Sequence, residues 1–214
     1  MKILRMTAAL LILIFSLTAC GNSYQSYSQD FFEAFDTIIT VVGHTKTKEE
    51  YDALYDQAKS RLIELSKLYD IYTDYDGITN IKTINDQAGI APVTVSKDII
   101  DLLELSVGWY DETDGKVNIA FGSVLKIWKS YRDAASEDPI NPKIPTEEEL
   151  QAANAHTDIH AIVIDQANST VFITDPQMSI DVGAVAKGYA VEAVTDALQQ
   201  AGYTSFAISA GGNV

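Results

Sequence analysis

The feature that most constrains this chain is a run of small residues lodged between a strand and a helix. Thr170-Val171-Phe172-Ile173-Thr174 has strand propensity, and Asp181-Val182-Gly183-Ala184-Val185-Ala186-Lys187-Gly188-Tyr189-Ala190-Val191-Glu192 comes soon after it. Beyond Gly183, Ala186, Tyr189, Ala190, Ala193, Val194, Ala197, Leu198 and Ala201 recur at helical spacing, and Gly202 supplies the stop. A helix that opens on such small residues points free N–H groups at open space, which is how a fold holds phosphate or carboxylate oxygens without side chains. Lys187 stands in that first turn, where a cation opposes the helix dipole by about 0.3–1 kcal/mol and asks for an anion beside it. Asp181, Glu192 or a ligand phosphate would serve; the small residues would equally suit plain tight packing of helix on sheet. One strand later, Ser209-Ala210-Gly211-Gly212-Asn213 again brings bare backbone within reach of a ligand.

Taken together, Asp-x-Gly-x-x-Ala-Lys-Gly-Tyr-Ala, a helix, a strand and Ala-Gly-Gly-Asn resemble the FAD:protein FMN transferase family, the ApbE-type flavin transferases also called thiamine biosynthesis lipoproteins. The motif is neither a P-loop, since no Gly-Lys-Ser/Thr follows, nor Gly-x-Gly-x-x-Gly. The resemblance implies an α+β fold, ApbE-like and T-fold-like, with a mixed sheet and packed helices. It implies FAD as substrate, Mg2+ as cofactor, and transfer of FMN to a Ser or Thr hydroxyl of an exported acceptor protein with release of AMP. In that family a further C-terminal portion carries an Asp and a Thr that bind the metal and a late His/Asp/Gly segment. Here Val214 follows the Gly-Gly-Asn turn directly, so residues 31–214 are expected to be the N-terminal part of the domain, with the fold incomplete at its C-terminus.

Residue by residue, the resemblance places Ala184 at the position whose main-chain carbonyl ligates the metal and Lys187 at a flavin-nucleotide contact. Phe35-Asp36-Thr37 stands where the family commonly has Met-Gly-Thr, keeping only the threonine. Tyr75 matches an aromatic that stacks on the flavin ring, with Tyr72 a near competitor. Lys116-Val117-Asn118 aligns with a segment that often reads Ala-Phe-Asp, so an amide replaces the acid, leaving hydrogen bonding to adenine or ribose. No residue stands out as a catalytic nucleophile or base: Ser209 lacks the Gly-x-Ser-x-Gly context. His44, His156 and His160 lack metal-ligand spacing and read as surface residues.

Residues 1–19 read as a targeting segment. Lys2 and Arg5 precede an apolar run from Ala8 to Leu17, too short for a comfortable membrane span. Leu17-Thr18-Ala19-Cys20 resembles a lipobox, which makes Cys20 a lipidated first residue and residues 20–30 a polar tether. The protein would then be lipid-anchored on the extracytoplasmic face of a bacterial membrane. With one cysteine the fold gains nothing from internal disulfides. A net charge of -15 argues against nucleic acid and against attraction to anionic lipid.

The remaining chain predicts strands and helices in alternation. A strand over 37–42 closed by Gly43, a long helix over 48–72, a loop or short helix over 80–85, and a helix from Ser96 to about Asp111 come first. Val124, Leu125, Ile127 and Trp128 then form an apolar face, residues 134–145 a surface connection, and Thr146 with Glu149 a capping box. A hairpin over 159–174 and a strand at 205–209 complete an α+β pattern. Two other functions remain open: hydrolysis of FAD to FMN and AMP at the same metal, and a non-catalytic solute-binding lipoprotein. The 181–188 motif discriminates against the latter.

Overall fold

The structure is a computed structural model, which describes residues 24–212. The targeting segment and Cys20 lie outside the described residues. Two three-stranded antiparallel sheets carry the fold, the first in the order β1 (Gln25–Phe31), β2 (Ile39–Thr45), β6 (Phe206–Ala210). The second runs β3 (Val93–Thr94), β5 (Thr170–Ile173), β4 (Ile162–Asp165). Between them in sequence lie α1 (Lys48–Leu68), α2 (Ile81–Asp86), α3 (Lys97–Glu112), α4 (Gly122–Glu137), α5 (Glu147–Asn154) and α6 (Ala186–Gln200). No helix among the described residues is long and apolar enough to cross a membrane.

The first sheet is covered by α1 and α6. Thr47 caps α1 by accepting the Glu50 N–H, and Tyr51, Leu54, Ala58, Leu62, Leu65 and Leu68 fall on one buried stripe. Each large side chain of that stripe contributes about 1.5–3 kcal/mol of burial. The helix stops at Leu68, short of the expected Tyr72, because Asp70 takes the N–H groups of Tyr72 and Thr73 at 2.7 and 3.1 Å and so offers the backbone an alternative to the helix. Ala186, Ala190, Val191, Val194 and Leu198 bury the facing stripe of α6, which packs on α1 and β6.

Two boundaries differ from the sequence reading. Residues 25–30, expected to be tether, form most of β1: Tyr27 stacks on Tyr51 at 5.2 Å and Phe31 meets Tyr55 edge-on, while Ser26, Ser28 and Asp30 face solvent. An edge strand with one wet face needs few apolar residues, so its composition looked like linker. Gly43 lies inside β2 rather than closing it. A Cβ there would sit 2.8 Å from the Tyr51 ring, so the bare backbone is what lets that ring pack.

Elsewhere, Asn80 and Thr83 cap α2 reciprocally, and Ile81 and Ile84 are buried, so the polar 80–85 stretch is a short helix rooted in the core. Ser96 occupies the N-cap of α3, but its hydroxyl makes no capping bond and is buried without a partner among the described residues. The helix α4 continues to Glu137, into what read as connection. Thr146 and Glu149 form the expected capping box.

Tyr51 is fully buried and donates to the Val41 carbonyl at 2.8 Å. Burial, then the nearby Tyr55 and Asp52, push its phenol up to about 12, against about 10 in an unfolded chain. A raised native pKa gives stability that is whole below pH ~10 and is lost as pH climbs through the native value, because the unfolded phenol ionises first. Urea titrations should therefore show stability falling from pH 10 to 12. Tyr51→Phe should flatten part of that slope, with Tyr69, whose phenol burial also raises, supplying another part.

Candidate functional site

The turn that links the second sheet to α6 is held from two sides. Asn85 grips the backbone of Ile180 twice, donating to its carbonyl at 2.9 Å and accepting its N–H at 2.7 Å. On the other side Gly122 donates its N–H to the Ser179 carbonyl at 3.0 Å and Asp181 donates to the Ile119 carbonyl at 2.8 Å. Gly122 is required there, since a Cβ would lie 2.3 Å from the Ser179 oxygen. Residues 179–181 thus form a short extended piece wedged between α2 and the segment leading into α4. The Asp181 carboxylate then accepts the Gly183 N–H at 2.8 Å, which shapes the turn itself.

Two cavities open on either side of this turn, and Asp181 lines both. The larger, about 610 Å³, is bounded by Phe35, Asp36, Tyr69, Asp70, Tyr72, Tyr75, Gly183 and Lys187. The second, about 480 Å³, is bounded by Lys116, Val117, Asn118, Phe121, Leu125, Thr157 and Ala184. Both volumes suit a small-molecule ligand. The helix α6 begins at Ala186, so its first N–H groups lie at the turn and Lys187 in its first residues.

The electrostatics of the larger cavity are lopsided. Glu33, Asp36, Asp70 and Asp181 line it against one ammonium, Lys187. Lys187 forms no ion pair with Asp181, Glu192 or any other described residue. Glu33 is engaged by Lys59, which holds its carboxyl below the usual range, helped by the Phe32 N–H. Asp70 accepts from the Tyr75 hydroxyl at 2.8 Å. Burial raises the phenols of Tyr72 and Tyr75, with Asp181 adding to the first and Asp70 to the second, so both remain hydroxyls at neutral pH. Among the described residues no three His, Cys, Asp or Glu side chains gather as a metal site. The Ala184 carbonyl is on an exposed residue and accepts no hydrogen bond from the described residues.

The profile of the ApbE family matches residues 35–214. The chain belongs to the ApbE family. An FAD:protein FMN transferase of Klebsiella pneumoniae is 32% identical over 156 residues, 72% of this chain and 47% of that protein. Another, of Treponema pallidum, is 28% identical over 139 residues, 63% of this chain and 36% of that protein. The ApbE protein of Thermotoga maritima superposes with a TM-score of 0.70 at 24% identity, covering 87% of this chain and 57% of that one. The flavin transferase ApbE of Vibrio cholerae does so at 0.72 and 19%, covering 88% and 58%. The fold is therefore ApbE-like, and the chain spans about half the length of the curated relatives it matches.

Within this ApbE fold the residues singled out from sequence divide between the two cavities. Phe35, Tyr75 and Lys187 line the larger; Lys116, Val117, Asn118 and Ala184 line the second. Tyr72 lines the larger cavity beside Tyr75, and Lys129 lies 5.5 Å over its ring. Phe35 and Asp36 both sit at positive φ, 56° and 49°, with the Phe35 N–H donated to Ser66 at 2.9 Å. Two non-glycine residues in the left-handed region cost roughly 1–3 kcal/mol each. The Asn118 amide is already committed, donating to the Thr157 carbonyl at 2.9 Å and accepting the Ala120 N–H at 2.8 Å. It shapes the second cavity, and a carboxylate could not make the first of those bonds. His156 is half-buried against Asp175 at 2.7 Å rather than a plain surface residue.

Asn85, Asp70 and Phe121 were not singled out beforehand. Asn85 has its partner 95 positions away, which no local pattern reveals. Replacing it with Asp removes the donor to the Ile180 carbonyl and sets an oxygen against it. Asn85→Asp should lower stability by about 1–3 kcal/mol, seen as a lower urea midpoint at unchanged slope.

Proposed function

We propose that this chain binds FAD across the Asp181–Ala184 turn and serves FMN transfer from FAD to a Ser or Thr hydroxyl of an exported acceptor protein. The observation that carries the reading is the pair of cavities sharing Asp181, with the start of α6 between them and Lys187 on the side of the larger. A dinucleotide has two planar ends joined by a pyrophosphate, and a two-chambered site with N–H groups at its waist and a cation in the larger chamber matches that layout. The flavin end belongs with Tyr75, Tyr72 and Phe35, and the adenosine end with Val117 and Asn118. The names of the relatives support FAD as the ligand.

In the reaction the acceptor oxygen attacks the phosphorus on the FMN side of the pyrophosphate. The new P–O bond to the acceptor forms as the bridging P–O bond breaks, AMP departs, and the hydroxyl proton is lost to solvent. Such chemistry rests on positioning and charge neutralisation more than on a special nucleophile. The α6 N–H groups supply positive potential at the waist, and Lys187 adds to it from the larger cavity. Besides the Lys59-paired Glu33, the carboxylates of Asp36, Asp70 and Asp181 in the larger cavity work against an entering phosphate, and a divalent cation would offset them. The unpartnered Ala184 carbonyl, a hard oxygen donor, fits as one ligand of Mg2+, which needs few protein oxygens when phosphate and water complete its shell. Bound there, the metal would supply charge neutralisation at the phosphates. The lipobox-like Leu17-Thr18-Ala19-Cys20 supports lipidation of Cys20 and work on the extracytoplasmic face of a bacterial membrane.

The chain is incubated with FAD, Mg2+ and a threonine-bearing acceptor peptide, with mass spectrometry for FMN-peptide and an assay for AMP. Peptide labelled in step with AMP is the expected result; AMP without label would replace transfer by hydrolysis. No product alongside no FAD binding would remove the proposal. Lys187→Ala should weaken FAD binding roughly ten- to hundredfold in a flavin fluorescence titration, the value of a lost charged hydrogen bond. Unchanged affinity would place the pyrophosphate elsewhere.

A further inference from the structure

The sequence predicts that Val124, Leu125, Ile127 and Trp128 share an apolar face, but α4 buries only Val124 of these fully and half-buries Ile127. Phe121, Leu125 and Trp128, spaced i, i+4, i+7, remain 36%, 41% and 45% exposed, and Arg132 continues the same line. Single exposed apolar residues are ordinary, whereas three in a row on one helix face mark a place where something docks.

The stripe is continuous with the site. Phe121 and Leu125 form a wall of the second cavity, and Lys129 lies over the ring of Tyr72, which lines the larger one. Trp128, Lys126 and Arg132 line neither cavity, so the nucleotide does not account for them. Charge points the same way. The chain carries a net -15, yet this stretch of α4 exposes Lys126 and Arg132 and half-exposes Lys129, against one carboxylate, Asp133, which Lys129 already engages. Lys116 adds a further cation at the second cavity.

We propose that the exposed face of α4, from Phe121 to Arg132, is the docking strip for the acceptor polypeptide, and that it selects acceptors carrying apolar and acidic side chains beside the reacting hydroxyl. The inference rests on the transfer reading above and deepens it. An acceptor must bring its hydroxyl to the turn between the cavities, and α4 borders the second of them through Leu125 and reaches the edge of the larger through Lys129 over the Tyr72 ring. The apolar stripe supplies the hold, and the cations supply selection and a faster encounter with an acidic segment.

The test uses the 214-residue chain and two variants, Trp128→Ala and the double variant Lys126→Glu, Arg132→Glu. Thermal unfolding first checks that these exposed substitutions leave the fold intact. FAD affinity should stay within twofold of the parent, while KM for an acidic acceptor peptide should rise about tenfold or more, the size of a lost docking contact. An acceptor peptide with its carboxylates replaced by lysines should regain transfer with the double variant and lose it with the parent. Equal KM values for all three proteins would overturn the docking strip. So would a parallel loss of FAD affinity, which would assign the strip to the nucleotide, or a Trp128-dependent dimer, which would assign it to a second copy. A parent that binds FAD and labels no peptide of either charge would instead remove the transfer reading, and the strip with it.

Discussion

The site depends on how firmly a three-residue piece of chain is held. Ser179-Ile180-Asp181 has no place in either sheet, yet the Ser179 carbonyl, both Ile180 groups and the Asp181 N–H are satisfied by Asn85 on one side and by Ile119 and Gly122 on the other. Backbone groups buried without partners cost several kcal/mol, so this substitute pairing is what permits irregular chain to run through the core to the surface. It also fixes where α6 begins, and with it the direction of the free N–H groups. Both cavities inherit their common wall from this clamp, because Asp181 is its last residue.

Around that wall the protein sets opposed charges at short range. A cavity rich in carboxylates holds one unpaired ammonium at the helix start, so an anion entering alone gains little and an anion arriving with a cation gains more. The tyrosine hydroxyls stay protonated within this field and donate rather than repel. Strain is concentrated here too: Phe35 and Asp36 hold left-handed backbone at the rim, with Ser66 tying down one side and Thr37 packed against Gly211 on the other.

Much of this was legible where local chemistry decides the outcome. The 181–190 motif, the α1 and α6 stripes, the Thr146/Glu149 box and the 159–174 hairpin depend on residues a few positions apart, and their spacing announces them. The division of site residues between two cavities was not legible, because spacing along the chain says nothing of which side of a turn a distant loop reaches. Strand β1 was hidden by its wet face. The α4 stripe was misjudged for the opposite reason: periodicity reports that a helix has an apolar face, and only packing reports whether the protein covers it. Asn118 shows a third limit. The fold ties its amide to Thr157 and Ala120, a structural use that spacing along the chain does not announce.

The register of the first sheet has a consequence for how the chain reaches this state. β2 is the middle strand, and its inner edge pairs Ile39 with Ala210 and Gly43 with Phe206. The β1–β2 hairpin joins near neighbours and forms early; the other edge waits until Phe206–Ala210, far along the chain, has been made. Until then β2, with Ile39 and Val41 destined for the core, shows an open row of N–H and C=O groups to whatever is nearby. Synthesis order therefore leaves the sheet beside Thr37 and Gly211 open long after its hairpin has formed, and makes that interval one in which a holding factor would matter.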